Sequence, residues 1–196
     1  MNPLTGPPPN PAPVFPEPLV EVIPMGLVDG TACDVVMAHL QVLMGFTARI
    51  QAPRPVPAYA YLPNRRQYDA GLILKALGQD LPYFQVRLGI TVLDLCLPIL
   101  SYVYGEAFLG DRLAVISLHR IGLRPEEGNV ESALLYERLA KVALHEVSHA
   151  IGIPHCRENG CLMHFSQGLK NLDGLNLHFC PKCRLEIDRL MADLKK

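Results

Sequence analysis

Charge is scarce in this chain and nearly offset. Charged residues make up 19% of it, below the usual share of about a quarter, and the formal net charge is -1. That balance argues against a protein that binds nucleic acid by neutralising phosphates. A secretory signal is missing too: Met1 to Val20 has no basic n-region, apolar h-region or small-residue cleavage site. The longest apolar stretch, Leu88 to Tyr104, is interrupted by Asp94 and Pro98 and makes a poor membrane span. No internal repeat is visible. These absences predict a soluble, cytoplasmic protein that partners neither nucleic acid nor membrane. In that compartment thiols stay reduced, so clustered cysteines point to metal rather than to disulfides.

What is present is ample core material. The chain has 196 residues, 49% of them hydrophobic, which fits one compact domain or one domain with a small extra module. Nine of its 18 prolines fall within the first 24 residues, and four of its six cysteines lie between positions 156 and 183. Residues 1–18 read as an extended, partly polyproline tail outside the core. The domain proper begins at about residue 19.

Hydrophobic periodicity predicts an α/β protein. Leu19 to Pro24 reads as a first strand. A helix is expected from Thr31, where Thr31 and Asp34 have capping-box spacing, to Gly45. Phe46 to Gln51 reads as a second strand, and a helix is expected over about Tyr68–Leu77, stopped by Gly78. Tyr83 to Leu95 and Asp111 to His119 read as strands, with a short edge strand at Ser101–Tyr104. A long helix follows from about Val130 to Ala150, with Asn129 as its N-cap. Leu134, Leu135, Leu139, Val142 and Ala143 form its apolar face. Gly152 is placed to end it in a left-handed turn. Cys183 to Leu194 closes the chain as an amphipathic helix.

The end of the long helix reads HEVSHAIGIPH. His145 and His149 are four residues apart, so they project from one helix face and can hold one metal. Glu146 lies beside the first ligand, within reach of a metal-activated water as general base. Gly152 lets the backbone turn and bring His155 round as third ligand. Three neutral imidazoles leave zinc its full charge and an open fourth position. Further on, Cys156 and Cys161 are followed by Cys180 and Cys183 in C-P-K-C, the spacing of a closed, structural, four-thiolate zinc site. Cys33 and Cys96 have no paired spacing and read as core residues.

With these residues assembled, the chain resembles the archaemetzincins, a branch of the metzincin zinc peptidases. The family pattern H-E-x-x-H-x-x-G-x-x-H-C, four residues, C-x-M, a spacer and C-x-x-C appears here as HEVSHAIGIPHC-RENG-CLM followed by CPKC. The spacer from His164 to Phe179 has 16 residues, one short of the family's usual length. Upstream, RRQYDA (65–70) and YGEAF with DRLAVISL (104–118) also resemble family segments.

The resemblance implies a single metzincin-like domain over 19–196. It would have a twisted, mostly parallel sheet with an antiparallel edge strand and an active-site helix in 19–152, and a small zinc-stapled subdomain in 153–196. It implies two zinc ions per chain: a catalytic one on His145, His149 and His155, and a structural one on Cys156, Cys161, Cys180 and Cys183. Glu146 becomes the general acid/base and Met163 the methionine turn beneath the metal; without the family, Met163 would read as ordinary core. An extended peptide or protein substrate would lie along an edge strand, for which Ser101–Ala107 is the candidate. The expected activity is peptide-bond hydrolysis through a zinc-activated water. The alternative is a zinc-containing module that binds peptides or protein termini with little turnover; in a third reading the proline-rich tail occupies the cleft and holds the enzyme latent. His164, His178 and Tyr104 are candidates for a second oxyanion donor, although each also reads as a surface or packing residue.

Overall fold

The β-branched run at Leu19 becomes an inner strand of a sheet with helices on both faces. The computed structural model describes residues 19–79, 85–124, 128–129, 131–166 and 168–194, so the proline-rich segment 1–18 lies outside the described residues. In chain order the main elements are β1 (Leu19–Met25), α1 (Gly30–His39), β2 (Thr47–Ile50), β3 (Tyr61–Leu62), β4 (Gln67–Asp69), α2 (Ala70–Leu77), β5 (Gln85–Thr91), β6 (Leu95–Leu97), β7 (Leu100–Val103), β8 (Gly105–Phe108), β9 (Leu113–Ser117), α3 (Leu118–Ile121), α4 (Ser132–Ala150), α5 (Leu169–Gly174) and α6 (Pro181–Asp193).

The five-stranded sheet runs β2-β1-β5-β9-β8, parallel throughout except for β8, which pairs antiparallel to β9 at the edge. Side chains alternate between its faces, as the pleat requires. Val20, Val22, Leu88, Ala114 and Ile116 point into the core shared with α1 and α4. Ile23, Met25, Leu113 and Val115 point to the opposite core with α2. Each such buried Val, Leu, Ile or Met side chain contributes roughly 1.5–3 kcal/mol relative to exposure. A second, four-stranded sheet runs β3-β4-β6-β7. No helix among the described residues is long and apolar enough to cross a membrane.

Several local expectations are corrected. Asp29, rather than Thr31, caps α1: its carboxylate accepts from the Thr31 backbone N–H at 3.3 Å. Gly45 does end that apolar run with a left-handed φ of 75°, after a π-helical turn over Leu40–Met44. Tyr68 is a strand residue, and α2 starts only after Asp69, which caps it through Leu72 N. The predicted strand from Tyr83 to Leu95 is two strands separated by Val92–Asp94, and Tyr83 and Phe84 lie outside the described residues. Asn129 does not cap α4; it pairs with Leu123 in a two-residue ladder, and Glu131 takes the N-cap without a side-chain bond. Residues 101–103 belong to β7, the edge of the second sheet, whereas the edge of the main sheet is β8. Cys33 and Cys96 are buried core residues as expected.

Candidate active site and metal centres

Helix α4 crosses under the main sheet and ends beside its edge. The ending is a Schellman motif: Gly152 N–H bonds the His149 carbonyl and Ile153 N–H the Ser148 carbonyl, both at 2.9 Å. Gly152 makes this possible with φ +108°, a conformation that penalises any Cβ. The chain then returns to bring His155 to the two helical histidines. His149 Nε2 lies 3.0 Å from His145 Nε2 and 3.2 Å from His155 Nε2. Three nitrogens around a zinc ion at its usual bond length would stand roughly 3.3 Å apart, so the cradle has the right size.

The far side of each helical imidazole is fixed. His145 Nδ1 donates to the Leu162 carbonyl at 2.8 Å, and His149 Nδ1 to the Ile153 carbonyl at 2.7 Å. These bonds select the tautomer whose Nε2 lone pair faces the cradle. Burial holds all three rings below the ordinary imidazole pKa, His145 down to about 4. They are therefore neutral at pH 7, the state a metal requires.

Glu146 sits in the same cleft and takes no hydrogen bond from the described residues. Burial, followed by the negative charge of Glu106, pushes its pKa up to about 8. The cleft has a volume of about 750 Å³ and runs between α4 on one side and residues 100–107 of β7 and β8 on the other. Its upper lip is tied to the helix end, because Gly110 N–H bonds the His149 carbonyl and Arg112 N–H the Ala150 carbonyl.

The four cysteines predicted as a set also converge. Their sulfurs lie within 4.8 Å of one another, with Cys156 Sγ 3.8 Å from Cys180 Sγ. Four thiolates around zinc would be spaced at about 3.8 Å. Backbone donors already face them: Cys180 N–H reaches Cys161 Sγ at 3.3 Å and Glu158 N–H reaches Cys156 Sγ at 3.4 Å. Backbone N–H from Cys183 lowers the Cys180 pKa, as Pro181 starts α6 behind it. All six cysteines are free. The donor chemistry and spacing thus suit zinc at both clusters.

Met163 is fully buried in the core that also holds Leu144 and Val147 of α4. Its carbonyl accepts from Cys156 N–H, and the preceding Leu162 carbonyl is the one that holds His145. One short turn therefore braces both clusters. Of the three candidate oxyanion donors, Tyr104 borders the cleft, and His164 and His178 do not. The candidate edge segment Ser101–Ala107 does line the cleft, but only its last part belongs to the main sheet. The sequence reading missed Gly105, Glu106, Arg138 and Lys141. The two cations stand at buried positions of the α4 pattern, where a charge signals a special partner.

Comparison with known proteins agrees with this geometry. The model of Peptidase family M54 matches residues 67–189. The archaemetzincin of Archaeoglobus fulgidus is 36% identical over 127 residues, which cover 65% of this chain and 72% of that protein. The crystal structure of archaemetzincin from Methanopyrus kandleri superimposes with a TM-score of 0.78 at 28% identity, covering 89% of this chain and 95% of that one. The Archaeoglobus fulgidus archaemetzincin complexed with malonate gives 0.75 at 30% identity, covering 86% and 99%. Matched to a peptidase family and carrying two donor sets that suit zinc, the chain belongs to peptidase family M54, the archaemetzincins, and is a zinc metallopeptidase.

Proposed function

We propose that this peptidase cleaves extended peptide segments laid along β8, with Glu146 as general base and then general acid. His145, His149 and His155 would hold the catalytic zinc. Cys156, Cys161, Cys180 and Cys183 would hold the structural one, with Met163 forming the turn beneath the triad. When bound, the catalytic ion supplies a lowered pKa for water and polarisation of the carbonyl. Glu146 accepts the proton released as water attacks and delivers it to the leaving amine. Its burial beside the histidines, with no competing hydrogen bond from the described residues, supports that role.

The register of β8 supports a strand-like substrate. Ser117 N–H bonds the Tyr104 carbonyl, so residues 104, 106 and 108 form the hydrogen-bonded pairs with β9. Gly105 and Ala107 consequently present their N–H and C=O groups outward, where an added strand can meet them. The reading also divides the described domain at residue 152, with the cysteine-stapled 153–196 region as the smaller part. It places the protein in the cytoplasm, where the four gathered thiols stay reduced. The proline-rich segment 1–18 is assigned no role.

The observation that carries the proposal is the convergence of the three Nε2 atoms beside a half-buried Glu146 that takes no hydrogen bond from the described residues. Its test is digestion of a peptide library by the zinc-loaded protein, with product termini identified by mass spectrometry. Cleavage that a chelator abolishes and zinc restores is expected. An uncut library that is nevertheless retained by the protein would favour the binding-module alternative.

A further inference from the structure

Lys141 is only 1% exposed, yet it borders the cleft one helical turn before His145. A wholly buried lysine is rare unless its charge has dedicated partners. Its partners here are specific. Nζ lies 2.6 Å from Glu137 Oε1, and it donates to the carbonyls of Leu172 at 3.2 Å and Asp173 at 3.3 Å. Those carbonyls are at the end of α5, where a cation meets the negative end of the helix. Arg138, three residues earlier on α4, adds two bonds to the Asp173 carboxylate at 2.6 and 2.7 Å.

Helix α5 has six residues, too few to persist without outside support. Its Leu172, and Leu175 just beyond, line the same cleft as Lys141 and Val142 of α4, with Leu162 and Tyr104. All three ammonium protons of Lys141 are therefore directed at Glu137 and the end of α5. That leaves the wall apolar and its distance from the histidines set by α4 itself.

We propose that Lys141 is a positioning residue for substrate selection. It fixes the Leu172–Leu175 wall relative to the metal cradle, so that this part of the cleft admits an apolar side chain of limited size. The inference rests on the peptidase reading above and adds a specificity element to it. It predicts a preference for aliphatic residues on one side of the scissile bond. It also predicts that charged side chains are refused there, because no donor of Lys141 remains for an acidic one.

The test compares wild type with Lys141→Met, Lys141→Arg and Leu172→Ala, all zinc-loaded, on a peptide library and on one chosen substrate. Lys141→Met leaves Glu137 half exposed and hydrated, so it does not strand a buried charge. It should raise KM about tenfold, with the smaller part of the loss in kcat, and should broaden the cleavage profile at a single subsite. Zinc content should stay at two ions. Lys141→Arg should restore KM and the profile towards wild type. Leu172→Ala, which keeps Lys141, should shift the same subsite towards larger side chains. An unchanged profile in both Lys141→Met and Leu172→Ala overturns the proposal, as does a loss confined to kcat. If Lys141→Met does not fold, Leu172→Ala alone decides. Should wild type cleave nothing, the peptidase reading fails instead. The wall is then judged by calorimetric affinities for peptide pairs differing in one side chain, which must separate in wild type and converge in Leu172→Ala.

Discussion

A Cβ built on Gly105 would lie 2.6 Å from Glu146 Cγ. The edge strand and the active-site helix thus approach so closely, at the base itself, that only a glycine fits between them. The same atom would stand 3.0 Å from the Val115 carbonyl and from Ile116 Cγ2, so one of its neighbours is backbone that cannot swing aside. Gly105 also offers outward main-chain groups to a substrate strand. On the proposed roles of β8 and Glu146, strand pairing and proton transfer would be set by one contact.

Gly105→Ala should therefore displace Glu146 or β8. Overpacking of this kind destabilises by about 1–3 kcal/mol. The larger effect is expected in turnover, because small misplacements of a catalytic group cost about 100-fold. Thermal unfolding and steady-state kinetics on one peptide check this. A variant with wild-type kcat/KM would show that β8 and Glu146 are not held in mutual register.

Burial of Glu146 has a pH signature in the metal-free protein. Its folded pKa, about 8, lies above the unfolded glutamate value of about 4.3. The folded state thus holds the proton more tightly than the unfolded chain. Stability from this group is fully present below the unfolded value and is lost as pH rises towards the folded one. Glu146→Gln removes that loss. Between about pH 4.5 and 8, the thermal midpoint of chelator-treated Glu146→Gln should rise steadily relative to wild type, and parallel curves would refute the assignment.

The cysteine cluster predicts a different failure. Cys180→Ser should lose the structural ion, taking zinc from about two per chain towards one, and lower the thermal midpoint. Because Cys156 follows His155 directly and bonds the Met163 turn, weaker metal retention by the histidines should accompany it. Atomic absorption after gel filtration measures this. Loss of the histidine-bound ion alone would contradict the assignment.

Much of this site is legible in the sequence. The i, i+4 histidines, Gly152 and His155 require only helical geometry and one left-handed residue, so their spacing in the chain encodes their meeting in space. The four cysteines are legible for the same reason, because ligand spacing within each pair is short. The succession of strands and helices along the chain followed from hydrophobic patterns, and the mostly parallel sheet with its antiparallel edge from the resemblance; the order β2-β1-β5-β9-β8 did not. What escaped were features that depend on distant neighbours. Glu106 and Gly105 matter because β8 lies against α4, a contact between residues about 40 positions apart. Lys141 reads as a surface charge until the end of α5 is placed over it. Cap positions missed by one or two residues, because Asp29 and Asp69 compete with the neighbouring polar residues for the same role.

The central claim is that Glu146 performs the proton transfers at a metal cradle it does not itself build. Glu146→Ala tests it most directly, with zinc content and cleavage of a defined peptide measured on the same preparation. Both ions should remain bound, while hydrolysis falls by a factor of about 100 to 10,000 or below detection. Hydrolysis persisting near the wild-type rate in zinc-replete Glu146→Ala would contradict it.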